Sequence, residues 1–206
     1  GVLIGFYLSN LIYRDNFFGI FIISSLLLYI YSTSFKQIAI IGNIIVSLAL
    51  ALSVVIVGLF DIIPATDQVN RFQMMLWLEL LFDYAVFAFI INFIREIIKD
   101  LEDINGDSVQ EMKTLPILLG ISKTTKIVAI ITAIATLLLL WYINNHLMNS
   151  RLYIATIYTL LLIISPMIFV TLKIWSATTK KEFHLLSTIL KAIIFFGILS
   201  VLIVNL

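Results

Sequence analysis

The chain has 206 residues, 62% hydrophobic and 12% charged, with a formal net charge of +1 and a mean hydropathy of +1.13. A soluble domain carries about 25% charged and about 45–50% apolar residues, so a soluble α fold is excluded. The absence of cysteine excludes disulfides, thiolate nucleophiles and Cys-ligated zinc or iron–sulfur centres, and no basic tract points to nucleic acid.

Polar punctuation divides the chain into apolar segments at 1–12, 16–33, 37–60, 72–98, 123–146, 150–175 and 183–205. Crossing a hydrocarbon core takes about 20 apolar residues in a helix, which all but the first two segments supply. Backbone groups in lipid must be satisfied internally, and these runs do not alternate as barrel strands would. The predicted fold is therefore an all-α, polytopic transmembrane helical bundle. The sequence opens at Gly1 within apolar sequence, with no signal-peptide pattern, and is read as a piece of a longer protein. Pro64 is expected in the loop "DIIPATDQVN", and Pro166 is expected to kink its helix.

Between the spans, one side collects Lys36, Arg95, Lys99, Lys113, Lys123, Lys126, Lys173, Lys180 and Lys181, and the other Arg14, Arg71 and Arg151. Nine against three assigns the first set to the cytoplasm of an inner or plasma membrane. Lys191 falls inside the last span, either snorkelling to an interface or facing the bundle interior.

The acids are gathered on the same side. Glu96, Asp100, Glu102, Asp103, Asp107 and Glu111, six of the 12 in the chain, fall within 16 positions of "NFIREIIKDLEDINGDSVQEMKTLPILLG". Asp100, Asp103 and Asp107 follow D-x-x-D-x-x-x-D, which places them on one helix face, where like charges repel unless a cation neutralises them. Asn105-Gly106 is expected to end the helix and present Asp107 from a loop. Oxygen ligands without His or Cys suit a hard ion such as Mg²⁺, which is typically held by one or two carboxylates plus substrate phosphates. Arg95, Lys99 and Lys113 flank the acids, so cations and carboxylates can share a diphosphate–metal complex. The competing reading is a solvated acidic loop. The even spacing, the flanking bases and the helix running into the cluster weigh against it.

These residues also carry a family resemblance. "NFIREIIKDLEDINGD" followed by "KTLPILLG" resembles the second Asp-rich motif of the UbiA superfamily of intramembrane prenyltransferases, and "LLLYIYSTSFKQIAIIGNIIVSLALAL" resembles its Tyr-Ser…Lys stretch and following Gly-Asn. The resemblance implies a nine-helix fold of which residues 1–206 hold about seven helices. They would form a single membrane-embedded domain without the first two helices and the first Asp-rich motif. It also implies Mg²⁺-dependent transfer of a prenyl group from a polyprenyl diphosphate to an acceptor, through ionisation of the allylic C–O bond and attack on the carbocation. Asp100, Asp103 and Asp107 would be the catalytic metal-site residues. Arg95, Lys99 and Lys36 would hold the diphosphate, Tyr31 and Asn43 would line the pocket, and Asn92 and Glu96 are weaker candidates on the same helix face. The wording of the motif is most like members that make geranylgeranylated glycerophosphate ether lipids. The implied partners are thus a polyprenyl diphosphate, a geranylgeranylglycerol-phosphate-like lipid acceptor and membrane lipids, with an aromatic acceptor of quinone, homogentisate or chlorophyll type as the alternative. The first motif, approximately N-D-x-x-D-x-x-x-D, has no counterpart. Asn10 and Asp15 in "SNLIYRDNF" lack its spacing and fall on the opposite face, so these 206 residues alone are expected to be inactive.

Other readings follow less well. The CDP-alcohol phosphatidyltransferases need Gly after the second Asp and a nearby Ala-Arg, whereas Ile104 follows Asp103 here. A non-catalytic transporter would distribute its acids toward the midplane, and an inactive scaffold would not release pyrophosphate. Glu79 and Asp83 lie inside a span, about 18–24 Å along the helix from Arg95, with Asp83 open to a structural or a pocket role. His146 and His184 are read as isolated and hydrated. Trp77, Trp141 and Trp175 fit interfacial belts and helix packing as well as a prenyl tunnel.

Overall fold

Apolar sequence in hydrocarbon has one economical answer, the helix that bonds its own backbone. A computed structural model describes residues 1–35 and 38–204, with the backbone alone at 15, 34 and 204. Among the described residues, five helical stretches are long and apolar enough to cross a membrane: Ile41–Ala65, Arg71–Glu102, Ile121–Met148, Tyr153–Ser176 and Lys180–Ile203. They are the five segments that the length of the apolar runs singles out. The helices are α1 (Val2–Leu11), α2 (Phe18–Ile30), α3 (Ile41–Val57), α4 (Ile63–Ala65), α5 (Arg71–Glu102), α6 (Ile104–Val109), α7 (Leu115–Leu119), α8 (Ile121–Tyr142), α9 (Tyr153–Thr159), α10 (Ser165–Ser176) and α11 (Lys180–Val204).

Two prolines reshape their spans in the same way. π-Helical stretches at Gly58–Ile62 and Leu160–Ile164 join α3 to α4 and α9 to α10, and each is followed within two residues by a proline, Pro64 and Pro166. A proline ring collides with the carbonyl four residues back and brings no N–H to bond it. A locally widened turn accommodates both defects. Pro166 therefore disturbs its span as expected. Pro64 is not in a loop but in the first turn of α4, where a missing N–H is tolerated.

The chain divides into two compact units, Gly1–Phe89 and Ile90–Leu206, with the boundary inside α5. In the first, α2 packs against α1 and α3. Edge-to-face rings bind the N-terminal end of α2: Phe6 with Phe18 at 5.4 Å, and Phe60 with both Phe17 at 5.6 Å and Phe21 at 5.4 Å. Gly5 permits the close approach of α1, because a Cβ there would run into Phe21. Within the span Arg71–Glu102, Glu79 is exposed and Asp83 half-buried.

In the second unit, α10 packs against α8 and α11, and α11 against α9. The fully buried side chains include Ile91, Ile94, Ile97, Ile98 and Leu101 of α5, Met167 and Ile174 of α10, and Phe183, Leu186, Leu190 and Ile193 of α11. The buried face of α8 is small and hydroxylic, with Thr124, Thr125, Val128, Ala129, Thr132, Ala135 and Thr136. Small faces let helices approach closely in lipid. The hydroxyls of Thr132 and Thr136 donate to carbonyls four residues back, at 2.7 and 2.8 Å, so they bury no unmet polarity. A long-range bond also ties two spans together: the Tyr158 hydroxyl donates to the carbonyl of Phe196 at 2.9 Å.

Replacing Gly5 by Ala is expected to lower the unfolding temperature in detergent. Gly19→Ala, where a Cβ meets nothing within 4 Å, is expected to leave it unchanged or raise it. Tyr158→Phe removes one interhelical bond and is expected to cost about 0.6–1 kcal/mol of unfolding free energy, measured by chemical denaturation in mixed micelles.

Candidate functional site

The apolar residues 91, 94, 97, 98 and 101 fix which way α5 faces in its last three turns. The polar residues between them then have set positions. Asn92 is buried, Arg95, Glu96, Lys99, Asp100 and Glu102 are half-buried, and Asp103 is exposed.

The helix does not run through the acidic motif as expected. It ends at Glu102, and Asp103 breaks it at φ −105° and ψ 15° before α6 begins. Carboxylates at 100, 102 and 103 crowd the last turn, and Asp is a residue that prefers helix ends. Asn105 and Gly106 lie inside α6, and the left-handed residue that closes it is Glu111, at φ 54°. The N–H of Glu111 donates to the carbonyl of Ser108 at 3.2 Å and that of Met112 to Asp107 at 2.9 Å, the paired bonds of a Schellman ending. Asp107 is thus presented from a short helix rather than a loop. Beyond it, the buried Thr114 opens α7, whose first turn holds Pro116, and Gly120 at φ +81° turns the chain into α8.

The bases near the cluster are partly engaged. Arg95 Nη1 lies 2.7 Å and Lys99 Nζ 3.8 Å from the carboxylate of Glu96. Arg95 Nε and Thr114 Oγ1 are buried and have no hydrogen-bond partner among the described residues. A buried guanidinium N–H left unmet costs free energy that an anionic ligand would recover.

Two further partners come from the far end of the chain. Lys180 Nζ lies 3.3 Å from Asp103 Oδ1, and His184 Nδ1 lies 2.8 Å from Glu102 Oε1. His184 is therefore not isolated, and His146 stacks on the ring of Tyr142 with centroids 4.5 Å apart. In the sequence Lys180 serves for orientation alone and His184 reads as isolated and hydrated, since partners 77 and 82 residues away leave no local signal.

Tyr31 stands in the turn that extends α2, and the half-buried Asn43 in the first turn of α3, both in the first unit. Lys36 lies outside the described residues. Lys191 is exposed on α11 among the described residues.

Among the described residues, no three Asp, Glu or His groups stand close enough to hold a metal ion by themselves. The donor set nevertheless suits a hard cation, being anionic and all-oxygen. Mg²⁺ keeps several waters and takes one or two carboxylates plus substrate phosphate, so a partial protein set is compatible with it. Chemically, this end of the unit offers carboxylates for a cation and interleaved bases for the anion that such a cation carries.

Comparison with known proteins bears on the family and the fold. The chain is 34% identical over 151 residues to digeranylgeranylglyceryl phosphate synthase of Methanosphaera stadtmanae, a match covering 72% of the chain and 47% of the relative. It is 36% identical over 113 residues to the synthase of the same description from Thermococcus sibiricus, covering 55% of the chain and 35% of the relative. The chain thus spans about half the length, or less, of the curated relatives it matches. A solved chain from work on digeranylgeranylglyceryl phosphate synthase in membranes superposes with a TM-score of 0.64 at 21% identity, covering all of this chain and 66% of that one, which establishes the fold. The UbiA prenyltransferase family matches residues 1–196, nearly the whole of this apolar helical chain, and the chain belongs to that family as an integral membrane protein.

Proposed function

We propose that the protein transfers a prenyl group from a polyprenyl diphosphate to a glycerophosphate lipid acceptor, of the geranylgeranylglyceryl phosphate kind, in a Mg²⁺-dependent reaction. The observation that carries this reading is the carboxylate-rich end of α5, interleaved with bases, in a chain of the UbiA prenyltransferase family. The lipid acceptor rests on the relatives, which are described as digeranylgeranylglyceryl phosphate synthases, and is preferred on that ground to an aromatic one. Residues 1–206 are read as one prenyltransferase domain, with the acidic end of α5 on the cytoplasmic side, where the lysines between the spans collect.

Asp100, Asp103 and Asp107 are assigned to the metal site. A divalent cation bound there supplies positive charge against the diphosphate as it departs. The chain's own part is to hold the anion and to keep water from the reacting carbon. Arg95 and Lys99 bind diphosphate oxygens by moving from Glu96, and the unmet Nε of Arg95 supports that role. Asn92 and Glu96 orient these groups from the same stretch of α5. Lys36, Tyr31 and Asn43 are assigned to the diphosphate pocket by resemblance. The prenyl chain lies among apolar helix faces, which exclude water from the allylic carbon.

In the full-length protein, Asp103→Asn is expected to lower Mg²⁺-dependent pyrophosphate release from geranylgeranyl diphosphate by about 100-fold or more, with helical content by circular dichroism unchanged. Full turnover in that variant would remove Asp103 from the site. With geranylgeranylglyceryl phosphate as acceptor, the wild-type protein is expected to form a doubly prenylated lipid detectable by mass spectrometry. Transfer to homogentisate in preference would overturn the choice of acceptor.

A further inference from the structure

We propose that Lys180 is a positioning residue of the acidic site: a tethered counter-cation that holds Asp103 until a divalent ion displaces it, and then contacts the diphosphate arriving with that ion. This rests on the reading of the site given above and adds α11 to it.

The corner before α11 is built to hold Lys180 in place. The carboxylate of Glu182 accepts the N–H of Thr178 at 3.0 Å, the N–H of Thr179 at 3.1 Å, the hydroxyl of Thr179 at 2.9 Å and the ammonium of Lys173 at 2.5 Å. The Thr179 hydroxyl oxygen accepts the N–H of Glu182 at 3.3 Å in return, which makes a capping box. Ala177, Phe183 and Leu186, exposed by 2% or less, anchor the corner from beneath. From this fixed turn Lys180 reaches Asp103, and His184, one turn further on, reaches Glu102. Two adjacent acids of the motif are thus met by two groups of one helix turn.

The contact with Asp103 has the character of an exchangeable one. The Lys180 and Asp103 side chains are 69% and 65% exposed, so water screens their attraction. Lys173, in the same corner, differs: its ammonium is held by a carboxylate that is already part of the helix cap. A doubly charged ion competes well with an ammonium for a carboxylate, carrying twice the charge to a shorter contact. Once displaced, the lysine is still on its flexible four-carbon stem beside the cluster. The anion brought by the metal is then its natural partner.

The test separates metal binding from turnover and uses the intact protein in detergent micelles, without prenyl substrate. Mn²⁺ binding is followed by electron paramagnetic resonance, and binding of inorganic pyrophosphate in Mg²⁺ by calorimetry. Lys180→Ala is expected to tighten Mn²⁺ about twofold to fivefold and to weaken pyrophosphate by a similar factor. Lys180→Arg is expected to return both toward wild type, and Lys181→Ala, at the exposed neighbouring lysine, to change neither. Opposite signs for the two ligands are not what a merely structural residue would give. Mn²⁺ affinity that is unchanged or weaker in Lys180→Ala, or matched by Lys181→Ala, overturns the proposal. Should Asp103→Asn bind Mn²⁺ as well as wild type, the metal-site reading falls and the role of Lys180 with it. If Asp103→Asn loses the ion while Lys180→Ala behaves as Lys181→Ala, the role of Lys180 alone is lost.

Discussion

A peptide group in hydrocarbon finds no water, and each one left unbonded there costs several kcal/mol. In this chain the constraint operates twice, on the backbone and on the hydroxyls. The backbone runs as long helices, and the threonines of α8 return their hydroxyl protons to carbonyls of their own helix. A buried face can then be narrow and polar in composition yet complete in its hydrogen bonding. Backbone that leaves the helix altogether is displaced to the ends of the spans. There α5 breaks at Asp103, α6 closes on Glu111, and Gly120 turns the chain into α8.

The same displacement shapes the site. Carboxylates at the end of α5 are half-buried or exposed, and the helix they stand on sets their directions. The buried isoleucines of α5 set those directions from below. Glu96 gathers Arg95 and Lys99 on one side, while Glu102 and Asp103 meet His184 and Lys180 on the other. Of the three aspartates whose spacing implies repulsion, Asp103 thus has a cation beside it.

Much of the fold could be read directly. Apolar run length found the five spans, because lipid leaves few alternatives for such sequence, and Pro166 announced a disturbance in its helix. The end of α5 was legible in its acids but not in its backbone. Gly106 looked like the stop, since glycine is at home in the left-handed region, yet that conformation falls to Glu111. α6 instead runs past Gly106 to Val109 and closes on the paired bonds of Glu111 and Met112. Pairings across 77 and 82 residues, such as those of Lys180 and His184, follow from tertiary packing alone. The family resemblance is borne out for the chain as a whole, and the bonds around the acidic motif had to come from the structure.

The widened turn at Leu160–Ile164 also governs which way its whole span faces. Ala155, Thr159, Ile163 and Met167 are all buried and stand four apart. In an uninterrupted α-helix a four-residue step overshoots a full turn by about 40°, so three such steps would carry the row about 120° around the axis. A looser coil between Leu160 and Ile164 takes up that drift and keeps one continuous seam against the neighbouring helices. The proline defect thus serves as a phase correction, and the span holds its orientation across the membrane because its winding is uneven.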